Sequence, residues 1–120
     1  MLALCALAAL IAFPVLAAAQ PVHADSPKVT IVVAQELVVG TTILQPGDYK
    51  FQCRTFDGKT FLVVTSAADG REITRVPCVR EMLDEKVTDS EYRSLLRPDG
   101  KRTLTLVRIK GEAAAHRIVD

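Results

Sequence analysis

Two cysteines (Cys53 and Cys78), one histidine (His116) and five acids between residues 81 and 91 hold most of the chemical potential of this 120-residue sequence. His116 lies in "AAAHRIVD", and one histidine without paired-cysteine spacing does not spell a zinc motif. Nucleophilic catalysis would need a serine beside it. Ser66, Ser90 and Ser94 are present, but none stands in a Gly-x-Ser-x-Gly setting. His116 therefore reads as a surface or strand-end residue, dispensable to the fold and to any activity.

The acids Glu81, Asp84, Glu85, Asp89 and Glu91 offer oxygens that a hard cation would accept. Their spacing matches no calcium loop and Lys86 interrupts them, so the stretch reads as a solvated connection. A glycosidase pair is conceivable in any acidic run. With no tryptophan and 5% aromatics, platforms for sugar rings or bases are thin. No catalytic residue, metal site or cofactor is expected.

The cysteines depend on the compartment. Residues 1–24, "MLALCALAALIAFPVLAAAQPVHA", hold no charged side chain, and their apolar run ends in small residues. That is the pattern of a secretory signal peptide, with cleavage expected after Ala19 or Ala24. A spanning helix needs ~20 apolar residues, and this run is shorter and holds Pro14. Residues 25–120 are then a single exported domain, periplasmic or extracellular and not membrane-spanning. An oxidising compartment favours pairing Cys53 with Cys78, since small exported domains benefit from the constraint. A closed loop of about 25 residues would contribute roughly 3 kcal/mol in the chain-entropy model.

Geometry objects to that bridge. If residues 49–55, 60–66 and 72–80 form a flat meander, the cysteines lie two strand spacings apart, ~10 Å, beyond the ~7 Å limit for bridged Cα atoms. Two-residue turns at both Asp57-Gly58 and Asp69-Gly70 would also put them on opposite faces, whereas a three-residue turn with a bulge restores one face. Pro77 cannot donate to a ladder, so the chain has a way out of the sheet there, and residues 78–81 could cross to a facing layer. A Cys53–Cys78 disulfide is the expectation, with two separately buried thiols as the alternative.

The elements that must position these residues are strands. "KVTIVVA" (28–34) alternates at the strand period, and "ELVVGTTIL" (36–44) forms two arms around Gly40-Thr41, as a type II′ hairpin requires. "QPGD" suits a type II turn, with Pro46 fixing one φ and Gly47 supplying the positive one. Asp57-Gly58, Asp69-Gly70 and Asp99-Gly100 are hairpin signals. In "RPDGK" a type I turn is expected on Pro98-Asp99, with Gly100 left-handed. Further strands are expected at 91–97, 101–110 and 114–119, while 79–87 could hold a turn of helix. About seven or eight short strands make an all-β domain, a small antiparallel β-sandwich or partly closed barrel.

The stretch from Leu37 to Val79, centred on "ILQPGDYKF", resembles small exported bacterial β-domain proteins carrying a Leu-x-Pro/Ala-Gly-x-Tyr turn. That group is largely uncharacterised. The resemblance implies an exported compartment and a β-fold, and supplies no catalytic residue.

A net charge of +1 argues against general nucleic-acid binding. Residues 92–120 carry seven bases against three acids, and 72–91 carry six acids against three bases. The basic half reads as a solubilising face, or else as a contact for a polyanion or envelope surface. The expected role is non-catalytic binding or structure in the envelope or periplasm. Alternatives are a small hydrolase using His116, and an accessory subunit adding a strand to a partner through the edge at 28–34.

Overall fold

The computed structural model describes residues 25–119, all of it strand, turn and loop. The expected leader, with cleavage expected after Ala19 or Ala24, lies outside the described residues. Nine strands form one mixed, unclosed sheet: β1 (Val29–Val33), β2 (Leu37–Val39), β3 (Thr42–Leu44), β4 (Gly47–Phe56), β5 (Lys59–Ser66), β6 (Glu72–Met82), β7 (Glu91–Leu96), β8 (Arg102–Arg108) and β9 (Ala114–Ile118). Their order is β1-β4-β5-β6-β9-β8-β2-β3, with β7 on β8. The all-β class follows the sequence closely, with one more strand than anticipated.

Local turn chemistry sets most of the hairpins. Asp57 (φ +49°) and Gly58 (φ +78°) both take positive φ between the paired Phe56 and Lys59, the requirement of a type I′ turn. Gly100 at φ +85° donates its N–H to the Arg97 carbonyl, which closes the turn over Pro98-Asp99. Gly40 is constrained twice. Its φ is +64°, and a Cβ there would stand 2.8 Å from Val76 Cγ1.

Three details differ from the sequence reading. Gly47 opens to φ +156°, where a type II turn needs about +80°, and it already pairs with Val33, so Pro46 makes a bend rather than that turn. Residues 79–87 hold no helix, because β6 runs on to Met82. One pairing is also parallel: Leu37 and Val38 of β2 lie beside Arg102 and Thr103 of β8, a long-range contact that no turn announces.

Asp69-Gly70 closes a longer loop, and the β5–β6 register shifts between Val64 and Thr65. That bulge changes the parity of everything beyond it. Cys53 pairs with Leu62 and Leu62 with Val76, so all three share a face with Cys78, two residues further on. At Pro77 the strand changes partner: residues up to Pro77 pair with β5, and Cys78–Met82 pair with β9. The proline lacks an N–H to continue the first ladder, and its carbonyl accepts instead from Val119 N–H at 3.0 Å.

The sheet folds over on itself around this crossover. Phe51, Cys53, Leu62, Val64, Val76 and Cys78 from one limb pack in a single core with Leu37, Val39, Leu44, Leu104, Val107 and Ile109 from the other. Full burial of each large apolar side chain stabilises the fold by roughly 1.5–3 kcal/mol. Among the described residues, no helix is long and apolar enough to cross a membrane.

Candidate functional site: a buried cysteine–histidine centre

The crossover brings three distant side chains together. Cys53 comes from β4 and Cys78 from the first position of β6 beyond Pro77. His116 comes from β9, diagonal to Cys78 because the register partner of Cys78 is Ile118. Diagonal side chains on one sheet face are within reach of each other. The two Sγ atoms and a ring nitrogen of His116 all lie within 4.8 Å of one another.

The centre is closed to solvent. His116 is 0% exposed, Cys53 7% and Cys78 8%. The expectation of a surface or strand-end His116 is therefore corrected. β9 runs between β6 and β8, and His116 points to its inner face while the next residue, Arg117, is exposed; Ala114 and Ala115 are buried with the ring. The small alanines left no apolar alternation in the sequence from which to infer burial.

Glu112, in the loop before β9, orients the ring. Its Oε1 lies 2.6 Å from His116 Nε2. A carboxylate accepts, so Nε2 carries the proton and donates. The lone pair then sits on Nδ1, which is buried and has no hydrogen-bond partner. Glu112 is itself fixed: its N–H donates to the Ile109 carbonyl at 3.1 Å, and its carbonyl accepts from Val87 N–H at 2.9 Å. The acidic connection is thus a strap over the loop that holds Glu112. Ser90 Oγ adds to it by accepting from Lys110 N–H at 2.9 Å.

Burial and pairing shape the ionisation of the centre. A hydrogen bond with Cys78, followed by burial, pushes the Cys53 thiol well up, with His116 opposing. Cys78 moves down because Cys53 donates to it, against burial. For His116, burial favours the neutral ring, but the contacts with Cys53 and Glu112 outweigh it and raise its pKa.

The β4 backbone beneath Cys53 is clamped from the other side. Ser26 Oγ accepts from Cys53 N–H at 2.8 Å, and Ser26 N–H donates to the Cys53 carbonyl at 2.9 Å. The thiols are unbonded in the structure. They are, however, not separate: the sequence posed a bridge against two isolated thiols, and the fold presents an adjacent pair whose sulfurs lie within 4.8 Å of each other.

The remaining sequence candidates lie elsewhere. Glu81 pairs with Arg117 at 2.6 Å, and Glu91 approaches Arg93 and Arg108 at 3.8 Å each. Asp84, Glu85 and Asp89 line an open concavity of about 550 Å³ together with Lys86 and Arg108. Ser66 accepts within the β5–β6 loop, and Ser94 accepts from Arg102 at 3.4 Å. Neither contact involves His116. The sequence reading took Pro77 as an exit from the sheet but missed Glu112, whose place four residues before His116 is the one local signal that could have been read.

No protein-family model, curated protein or solved structure matches this chain.

Proposed function

We propose that this chain is an exported, non-catalytic binding domain of the cell envelope or periplasm, and that the Cys53–Cys78–His116 centre is its binding site. The burial of all three side chains carries this reading. A thiol, imidazole and carboxylate in line resemble a nucleophilic triad in composition. A hydrolase, however, needs its nucleophile within reach of an organic substrate, and this one lies under the sheet. A buried centre suits an occupant the size of an ion, or a change confined to the thiols themselves.

The second state is the Cys53–Cys78 disulfide. It forms before the sheet closes over the centre, when the two thiols can still reach a partner disulfide: they lose two protons and two electrons to it, and it leaves as two thiols. The apolar leader and the resemblance to exported β-domain proteins support the compartment in which that oxidation occurs. A strand-addition role has one observation in its favour. Among the described residues β1 pairs only with β4, which leaves its outer edge open there.

The test is a thiol count on the exported protein, native and denatured, combined with a screen against ester and peptide substrates. The reading expects thiols that react only after unfolding, either two free or none, and no turnover. Turnover that disappears in Cys53→Ser while the fold persists would replace the binding reading with an enzyme.

A further inference from the structure

Resting on that reading, we propose that Cys53, Cys78 and His116 bind one monovalent d10 metal ion of the copper(I) class. Two thiol sulfurs and one imidazole nitrogen are a soft donor set, and thiolates select copper(I), zinc and iron–sulfur clusters over hard cations. Number decides among these. Structural zinc is almost always four-coordinate, zinc held by three protein ligands keeps a water in its open position, and iron–sulfur clusters are held by four residues; this centre is closed to solvent. Among the described residues no fourth His, Cys, Asp or Glu joins the three. The walls are apolar, with Phe51, Leu62, Val64 and Val76 in the same core cluster as the cysteines. Three buried donors in an apolar surrounding match an ion content with low coordination.

The histidine supplies the independent observation. A buried imidazole nitrogen without a partner is costly, yet Nδ1 of His116 is held in that state. The 2.6 Å contact from Nε2 to Glu112 places the lone pair on Nδ1. A carboxylate on the far nitrogen is the usual way a protein fixes the tautomer and raises the basicity of a metal-bound histidine. The neighbours of that ring are the two sulfurs, both within 4.8 Å of a ring nitrogen, so an ion that displaces the thiol protons would give Nδ1 its partner.

The experiment titrates the purified, fully reduced chain with copper(I), silver(I) and zinc(II) in competition with a chromogenic copper(I) chelator. X-ray absorption reads the shell. One copper(I) per chain in a two-sulfur, one-nitrogen shell is expected, with silver(I) displacing it one for one and excess zinc(II) leaving it in place. Cys53→Ser and Cys78→Ser should each abolish retention. His116→Asn should remove the nitrogen from the shell. Glu112→Gln should weaken binding by about 10–100-fold at unchanged stoichiometry, and it keeps the test valid should the cysteine variants fail to fold. Preferred uptake of zinc(II) in a four-coordinate shell would overturn the ion class while leaving the centre as the binding site. Binding of none of the three ions by the reduced protein would overturn both. Copper(I) retained equally by a folded Cys53→Ser protein would place the ion elsewhere and overturn the proposal.

Discussion

The β4–β5–β6 meander carries a polar cluster on each face. Inward, Cys53 and Cys78 meet His116 and Glu112 beneath the fold-over. Outward, the Arg75 and Arg54 guanidinium carbons lie 4.1 and 4.9 Å from the Phe56 ring centre, Phe61 meets that ring edge-on at 5.9 Å, and Glu72 holds Arg75 at 2.7 Å. The same register makes both. Arg54 pairs with Phe61, and Phe61 with Pro77, one step out of phase with Cys53, Leu62 and Val76. What separates them is water. The outer charges are each about 40% exposed and screened, whereas the inner groups are covered and interact at full strength. One face is tolerant and the other is specified group by group.

The largest effect should come from the inner face. His116→Ala removes a fully buried ring, leaves a cavity and strands the Glu112 carboxylate. A loss of roughly 3–5 kcal/mol is expected from those two costs together, read by urea unfolding of the metal-free protein. This reverses the sequence-based expectation that His116 is dispensable to the fold. A loss below about 1 kcal/mol would show the centre to be as tolerant as the outer face, and the contrast would collapse.

Next comes the hairpin pressing on the inner face from the other limb. Gly40→Ala puts a side chain at φ +64° and 2.8 Å from Val76 Cγ1, on the residue that precedes Pro77. Left-handed strain and overpacking together should cost roughly 2–3 kcal/mol. Adding Val76→Ala should relieve the clash but not the strain, so Gly40→Ala should cost less in the Val76→Ala background. A full cost in both backgrounds would assign the effect to backbone conformation alone.

These two positions also show what the sequence could and could not disclose. Gly40-Thr41, Asp57-Gly58 and Pro98-Asp99-Gly100 speak through local conformational preference, so the hairpins were legible within a few residues. The meander was legible too, along with the parity rule and the role of Pro77 as an exit. The centre was not. Residues 53, 78 and 116 converge only after the bulge at Val64/Thr65, the crossover, and the insertion of β9 between β6 and β8, and no spacing encodes three long-range events. The parallel β2–β8 pairing is hidden for the same reason.

At the tip of the β4–β5 hairpin the outer face should show a moderate effect. Asp57 takes φ +49°, which asparagine and aspartate tolerate and β-branched residues do not. Asp57→Val should cost roughly 1–2 kcal/mol in thermal melts, and Asp57→Asn close to nothing. Equal costs would mean that the Asp57 carboxylate, not the backbone, secures the turn.

The smallest effect should be at the outer ion pair. The hydrogen bond from Arg75 holds the Glu72 carboxyl below its ordinary value, against the opposing effect of desolvation. A depressed folded-state pKa means the contribution is present above the unfolded value of 4.5 and fades as pH falls through the folded one. Both partners are well exposed, so screening leaves little of it. Glu72→Gln should therefore melt only slightly below the parent at neutral pH and low salt. The gap should close at acid pH, where the parent carboxylate is also neutral, and in high salt, where the pair is screened. A gap as large as that of Asp57→Val, persisting at acid pH and in salt, would mean that Glu72 braces the bulged start of β6 rather than merely decorating it. The outer cluster would then share in setting the register that brings Cys53 and Cys78 to one face.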